Sequence, residues 1–171
     1  MNKPIRFLAP LLLAGAFGVA HADGAFDRGD QRFVTNAANA GVYEVQAAQV
    51  VAKKARDPKV KAYAEMLMKD HEKTNEVLKQ LAATRSMRLP RELPHDLRGR
   101  VQGLERQSAD KIDRDFLQRV GLDDHAKDIE LFEREGLKAT DPDLRAFAEK
   151  TLPALREHRE HAQKLMGSLS P

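Results

Sequence analysis

Four residues able to do metal or acid–base chemistry, Glu44, His71, His125 and His158, interrupt four stretches of helical apolar pattern. Glu44 falls between Ala40 and Ala47 or Ala48, and His71 between Leu67 and Thr74. His125 falls between Leu122 and Ile129, and His158 between Leu155 and Ala162. Burying such groups unpaired is costly, so four of them on core faces call for a shared explanation. Three imidazoles and one carboxylate are a ligand set for a divalent transition metal such as Zn, Fe, Cu or Ni. His161, one turn beyond His158, is expected as a further ligand or a support for one. Asp70 and Asp124 each precede a histidine and point about 100° away from it on the helical wheel. They are therefore expected to orient a histidine on a neighbouring helix. The same constellation reads equally as a metal-free polar layer, with Glu44 ionised and bonded to the imidazoles, that sets helix register.

The elements that must position these residues are helical almost throughout. Phe33, Ala37, Ala40, Ala47 and Val51 share one face of a helix expected from about Asp30 to Arg56. Asp57-Pro58 stops it and starts a second helix to about Thr84, because Asp caps well and Pro suits the first helical position. Residues 85–94 contain two prolines and are expected to be extended, with a short helix over Asp96–Gln107. Ser108 or Asp110 is expected to cap a third long helix to about Ala139, with Leu122, Ile129, Phe132 and Gly136 on one face. Asp141-Pro142 then repeats the stop–start signal, and Pro153 lies inside the fourth helix.

The segment from Asp57 to Glu65 matches that from Asp141 to Glu149 at a constant offset of 84 residues. Two helical hairpins of one design, joined by a long connector, predict an all-α, ferritin-like antiparallel four-helix bundle. Glu44 and His71 lie equally far from the first turn, and His125 and His158 equally far from the second. Equal distance from a hairpin turn means equal height, so the four side chains can converge near mid-bundle. A di-iron centre wants Glu-x-x-His on two helices. Met68, Leu122 and Leu155 stand where those glutamates belong, so a mononuclear site is favoured.

Composition narrows the classes further. The chain has 171 residues, no cysteine and no tryptophan. Disulfides, thiolate metal sites, iron–sulfur clusters and lipoprotein anchoring are thereby excluded. A formal net charge of +3 and the lack of a basic–aromatic cluster argue against nucleic-acid binding. Residues 1–22 read as a cleaved signal peptide: Lys3 and Arg6, an apolar run from Phe7 to Ala20, then Ala20-His21-Ala22. That run is short of the ~20 residues that span a bilayer, and no later segment is apolar enough. Residues 23–171 are expected to form one periplasmic or secreted domain. Partners are left open between an envelope component and a second copy of the chain.

The Glu44-Val45 segment, Ala62-Tyr63-Ala64-Glu65-Met66 leading to Asp70-His71, Asp124-His125, and Leu152-Pro153 before His158 resemble the DUF4142 family. Its members are exported, ferritin-like bacterial proteins often labelled outer membrane proteins. The resemblance covers about Asp30 to Met166 and implies a ferritin-like bundle and secretion, with no established activity. Ile112-Asp113 replaces the family's usual Phe-Asp at the start of the third helix. The residues give the outer-membrane label no support, having neither alternating barrel strands nor a lipid-acceptor cysteine. Two functions are therefore weighed: a metal-binding protein for buffering or stress protection, and a non-catalytic envelope protein with a metal-free layer. A mononuclear enzyme ranks below both, because no general base or substrate pocket is evident.

Overall fold

The computed structural model describes residues 24–169, so the expected signal peptide, residues 1–22, lies outside the described residues. Three helices of 27 residues dominate: α1 (Arg28–Lys54), α2 (Pro58–Thr84) and α6 (Pro142–Ser168), with the shorter α3 (His95–Arg106), α4 (Ile112–Phe116) and α5 (His125–Arg134) between α2 and α6. A π-helical segment, Leu117–Asp124, joins α4 to α5 without interruption, and a 3-10 turn, Gly136–Lys138, follows α5. No strand occurs among the described residues.

Both Asp-Pro signals act as expected. Asp57 accepts a hydrogen bond from the Lys59 N–H, and Asp141 from those of Asp143 and Leu144, with proline in the first turn of each helix. The first helix starts two residues before the expected Asp30, because Asp27 is the cap and accepts the Asp30 N–H at 2.8 Å. Neither Ser108 nor Asp110 caps the third rod. Lys111 occupies the cap position without a side-chain bond, and the Ser108 carbonyl accepts the N–H groups of Lys111 and Ile112. The third rod is also not a continuous α-helix, since the π segment breaks its regular ladder.

Two buried aspartates lock the hairpins together. Asp30, on α1, accepts the backbone N–H groups of Thr140 and Asp141 at 3.0 and 2.8 Å. Asp113, on α4, accepts those of Arg56 and Asp57, the shortest at 2.8 Å. Each carboxylate thus satisfies the donors that lead into the other hairpin's proline turn. Arg85, at the end of α2, adds 2.8 Å ion pairs to Asp141 and Asp143. The two turns consequently lie at opposite ends of the molecule, and residues 85–94 with α3 return the chain from one end to the other. Lys54 fixes the end of that return by donating to the carbonyls of Glu105 and Gln107.

The interior divides into two apolar clusters. One holds Val51, Val60, Tyr63, Phe116 and Leu117 near the α1–α2 turn. The other holds Phe33, Leu78, Phe132, Leu144 and Phe147 near the α5–α6 turn. Along every long element the polar positions Glu44, His71, His125 and His158 fall where one cluster gives way to the other.

Replacing Asp30 by Ala orphans two backbone donors, of which the Asp141 N–H is buried. Asp30→Ala should lower the unfolding free energy by about 2 kcal/mol, measured by urea titration. A loss below about 0.5 kcal/mol, typical of surface substitutions, would show that the reciprocal clasp contributes little.

Candidate metal centre

Between the two apolar clusters, α1 brings Glu44, α2 brings His71, α5 brings His125 and α6 brings His158, all four buried. The three imidazole rings form a nearly equilateral triangle, with centroids 5.3–5.4 Å apart. One nitrogen from each lies within 4.8 Å of the others. These three buried histidines could hold a metal ion.

Which nitrogens face inward follows from what holds the others. His125 Nδ1 is 2.8 Å from the Val120 carbonyl oxygen, which can only accept, so Nδ1 carries the proton and Nε2 has a lone pair. His158 Nε2 donates to the Asp70 carboxylate at 3.1 Å, which leaves its Nδ1 unprotonated. His125 Nε2 and His158 Nδ1 face each other across 3.3 Å. With both protons spent outward, this contact joins two lone pairs. His71 presents Nδ1 to Glu44 Oε2 at 3.2 Å, while its Nε2 is buried without a hydrogen-bond partner.

Glu44 lies at the outer edges of two rings rather than between the three inward nitrogens. Its Oε2 is beside His71 Nδ1, and its Oε1 is 3.1 Å from His125 Nδ1 yet has no hydrogen-bond partner, because that proton points to Val120. Its other contact is Asp128 on α5. Burial, and then the proximity of Asp128 and Asp124, hold the Glu44 carboxyl well above the usual carboxylate range. Burial also pushes Asp128 up to about 7. The imidazoles move the other way. Burial lowers His125 to about 4, and burial together with the neighbouring imidazoles lowers His71 well below its ordinary value. His158 is lowered too, mainly by burial, with Asp70 opposing the shift. The interior therefore keeps the triad neutral, the form that ligates metal.

The remaining sequence candidates are dispersed. Asp70 reaches His158 across the α2–α6 interface, on a helix other than its own. Asp124 turns away from the triad and pairs with Arg100, which also lies over the Tyr43 ring, and with Lys127. His161 is exposed and stacks edge-on against Tyr63, 5.1 Å between centroids. Asp128 and the Val120 carbonyl were not among the sequence candidates. Asp128 had a signal, since it stands 84 residues after Glu44, the offset of the internal repeat. The π segment had one as well. Ile112, Phe116, Val120, Asp124, Asp128, Phe132 and Gly136 are all buried at a strict spacing of four. An α-helix of 3.6 residues per turn would rotate such a series off its face. A wider turn keeps it in line.

The π segment positions His125 directly. The Val120 carbonyl accepts both the His125 backbone N–H, in the i→i+5 pattern of a π turn, and the His125 ring proton. Gly121 allows the segment to lie close to α6, where a Cβ would come within 2.5 Å of the Ala162 methyl.

A model of the family described as a domain of unknown function (DUF4142) matches residues 17–165. Among solved structures, the chain is similar to a DUF305 fragment from Deinococcus radiodurans, with a TM-score of 0.74 and 14% identity, over 85% of this chain and 99% of that one. It is also similar to a conserved hypothetical protein from Mycobacterium tuberculosis, with a TM-score of 0.63 and 14% identity, over 84% and 94% of the two chains. At such identity the likeness concerns the fold alone. No curated protein matches the sequence.

The opposed shifts predict a pH signature in metal-free protein. The histidines have lowered folded values, so their contribution to stability is full above about pH 6.5 and is lost as pH falls toward the folded values. The raised carboxyls contribute in the opposite sense, fully below about pH 4 and less as pH rises through about 7. Asp128→Asn removes one opposing proton. Its unfolding free energy should therefore fall more steeply than the parent's between pH 6.5 and 4.5, by about 1.4 kcal/mol per pH unit. Equal slopes in urea titrations would contradict the assigned shifts.

Proposed function

Since the chain belongs to the DUF4142 family, whose description assigns no activity, we propose that it is an exported protein that binds one divalent transition-metal ion through His71, His125 and His158. Its use is metal buffering or protection against metal stress. The observation that carries this reading is the set of inward nitrogens. His125 Nε2 and His158 Nδ1 are held 3.3 Å apart with no proton between them, and the buried His71 Nε2 has no partner. The two facing lone pairs of His125 and His158 repel unless a cation or an N–H donor joins them, and the lowered imidazole values argue against an imidazolium as that donor.

The donor set fits zinc, iron, copper or nickel. With metal–nitrogen distances of about 2.05 Å, two ligands of a tetrahedral ion lie roughly 3.3 Å apart, which matches the His125–His158 separation. Each ring is braced from behind, by the Asp70 carboxylate, the Val120 carbonyl or the Glu44 side chain, as the ligating imidazoles of metal sites usually are. Glu44 takes a bracing place in this scheme, because it meets His71 at Nδ1 while Nε2 is the unpartnered atom. An ion bound here supplies a fixed positive charge and Lewis acidity in a dry interior.

The ferritin-like four-helix arrangement is part of the proposal. It rests on the pairing of α1 with α2, on the packing of the π segment and α5 against α6, and on α3 as the crossover. Export rests on the sequence of residues 1–22. The competing reading, a metal-free polar layer, requires neutral His71 to carry its single proton on the inward Nε2, with Glu44 donating to Nδ1, an arrangement that the raised Glu44 carboxyl permits.

Chelator-treated protein should take up one equivalent of Zn²⁺ or Co²⁺ and melt at a higher temperature, since a ligand at 100 times its Kd adds about 2.7 kcal/mol. Asp70→Asn should weaken affinity by about 10–100-fold, and His71→Ala with His125→Ala should abolish uptake. Isothermal titration with elemental analysis checks all three. Unchanged stoichiometry in the double variant, or a parent Tm unmoved by metal, would contradict the proposal.

A further inference from the structure

Arg100, on α3, has no part in the metal-binding proposal, yet it holds the residues beside two members of the centre. Its guanidinium lies 4.4 Å from the Tyr43 ring centroid, and its Nη2 pairs with Asp124 Oδ2. Tyr43 directly precedes Glu44 on α1, and Asp124 directly precedes His125 at the end of the π segment. The two following residues meet, with Glu44 Oε1 3.1 Å from His125 Nδ1. The helix that carries Arg100 is itself pinned at both ends. Arg98 donates to the Leu93 carbonyl at 2.6 Å, and Lys54 donates to the Glu105 carbonyl at 2.6 Å.

Among the described residues, Arg100 is the one α3 side chain with an ion pair or hydrogen bond to the π segment. Hollows of about 290 and 300 Å³ flank this contact, and Tyr43 and Arg100 line both. The guanidinium thus bridges open space between connector and rod instead of filling a packed seam. Asp124 is 7% exposed, so its charge depends on partners. Without Arg100 it keeps one cation, Lys127, at 3.3 Å on a side chain that is 72% exposed. A buried carboxylate whose main partner is removed is strongly destabilising until it reaches water. Asp124 turns outward only by moving its backbone, and the next residue is His125. In a regular α-helix the Val120 carbonyl accepts from Asp124, four residues on, and not from His125. Relaxation of the π turn toward that ladder takes from His125 the acceptor of its ring proton.

We propose that Arg100 is a positioning residue of the candidate metal centre. By neutralising Asp124 it holds the π turn, and through that turn the orientation and tautomer of the His125 ring. The connector thereby governs the affinity of a site to which it contributes no ligand. The effect on metal rests on the triad reading, whereas the effect on His125 is measurable without metal.

Histidine ¹⁵N correlation spectra of metal-free, full-length protein test it, followed by zinc titration of the same samples. The parent should show His125 as a single tautomer, protonated at Nδ1 and bare at Nε2. Arg100→Leu, which keeps an aliphatic stem over Tyr43, should mix the tautomers and weaken zinc binding about 10–100-fold. Arg100→Lys keeps the positive charge, and Arg100→Leu with Asp124→Asn removes the negative charge that needs it. Both should return the parental His125 signals, a rescue that loss of packing alone would not give. If Arg100→Leu fails to fold, the double variant decides: parental signals support the role, and a second failure overturns it. Parental His125 signals in Arg100→Leu, or a double variant no better than the single one, would overturn the role and leave the triad standing. A parent that takes up no zinc while His125 responds as expected would overturn the metal reading alone.

Discussion

The arrangement of this protein turns on three neutral imidazoles whose inner nitrogens are brought together in a dry interior. Each ring has two nitrogens, and in each the outer one is claimed. Val120 takes the His125 proton, Asp70 takes that of His158, and Glu44 stands at His71 Nδ1. Rotating any ring to relieve the inner repulsion breaks its outer contact. The cluster is thus held in a geometry that suits a cation, and burial keeps the rings neutral, the form that ligates metal.

The helices are arranged to hold that geometry at mid-length. Asp30 and Asp113 each reach across to the opposite hairpin's turn, so the turns are fixed at opposite ends. Residues near the middle of every long element then meet at one level, between two separate apolar clusters. The two halves are not equivalent. One more residue separates Asp113 from Asp141 than separates Asp30 from Asp57, and the π segment lies within that longer half. The extra residue carries His125 around the rod, while the Val120 carbonyl, which accepts the His125 backbone N–H in the π turn, also receives its ring proton. A change in backbone pitch and the orientation of the His125 ring would otherwise look unrelated; here one extra residue accounts for both.

Much of this was legible in the sequence. The Asp-Pro pairs marked both turns because their chemistry is local: a side chain that caps and a ring with no N–H to lose. The apolar spacing found the helices and, by interruption, the four polar positions. The roles within the cluster were not legible in the same way. Glu44 and the histidines share one pattern of burial, and only distances distinguish an oxygen at Nδ1 from one facing the centre of the triad. Asp124 and Asp70 carry the same sequence signature, a carboxylate just before a histidine. Asp70 meets a ring across the α2–α6 interface, whereas Asp124 is drawn to Arg100 on the connector, which no periodicity could place. The π segment was written in the strict spacing of four along the third rod, and Asp128 in the repeat offset that links it to Glu44. Both were missed because a helical wheel of fixed pitch hides the first, and comparison of the turns alone hides the second.

The central claim, that His71, His125 and His158 together ligate a metal ion, is most directly tested by X-ray absorption at the zinc edge of stoichiometrically loaded protein. The account predicts the multiple scattering of three imidazoles in the coordination shell, reduced by one ring in His158→Ala. A shell of oxygen ligands without imidazole scattering, or a parent spectrum identical to that of the variant, would contradict it.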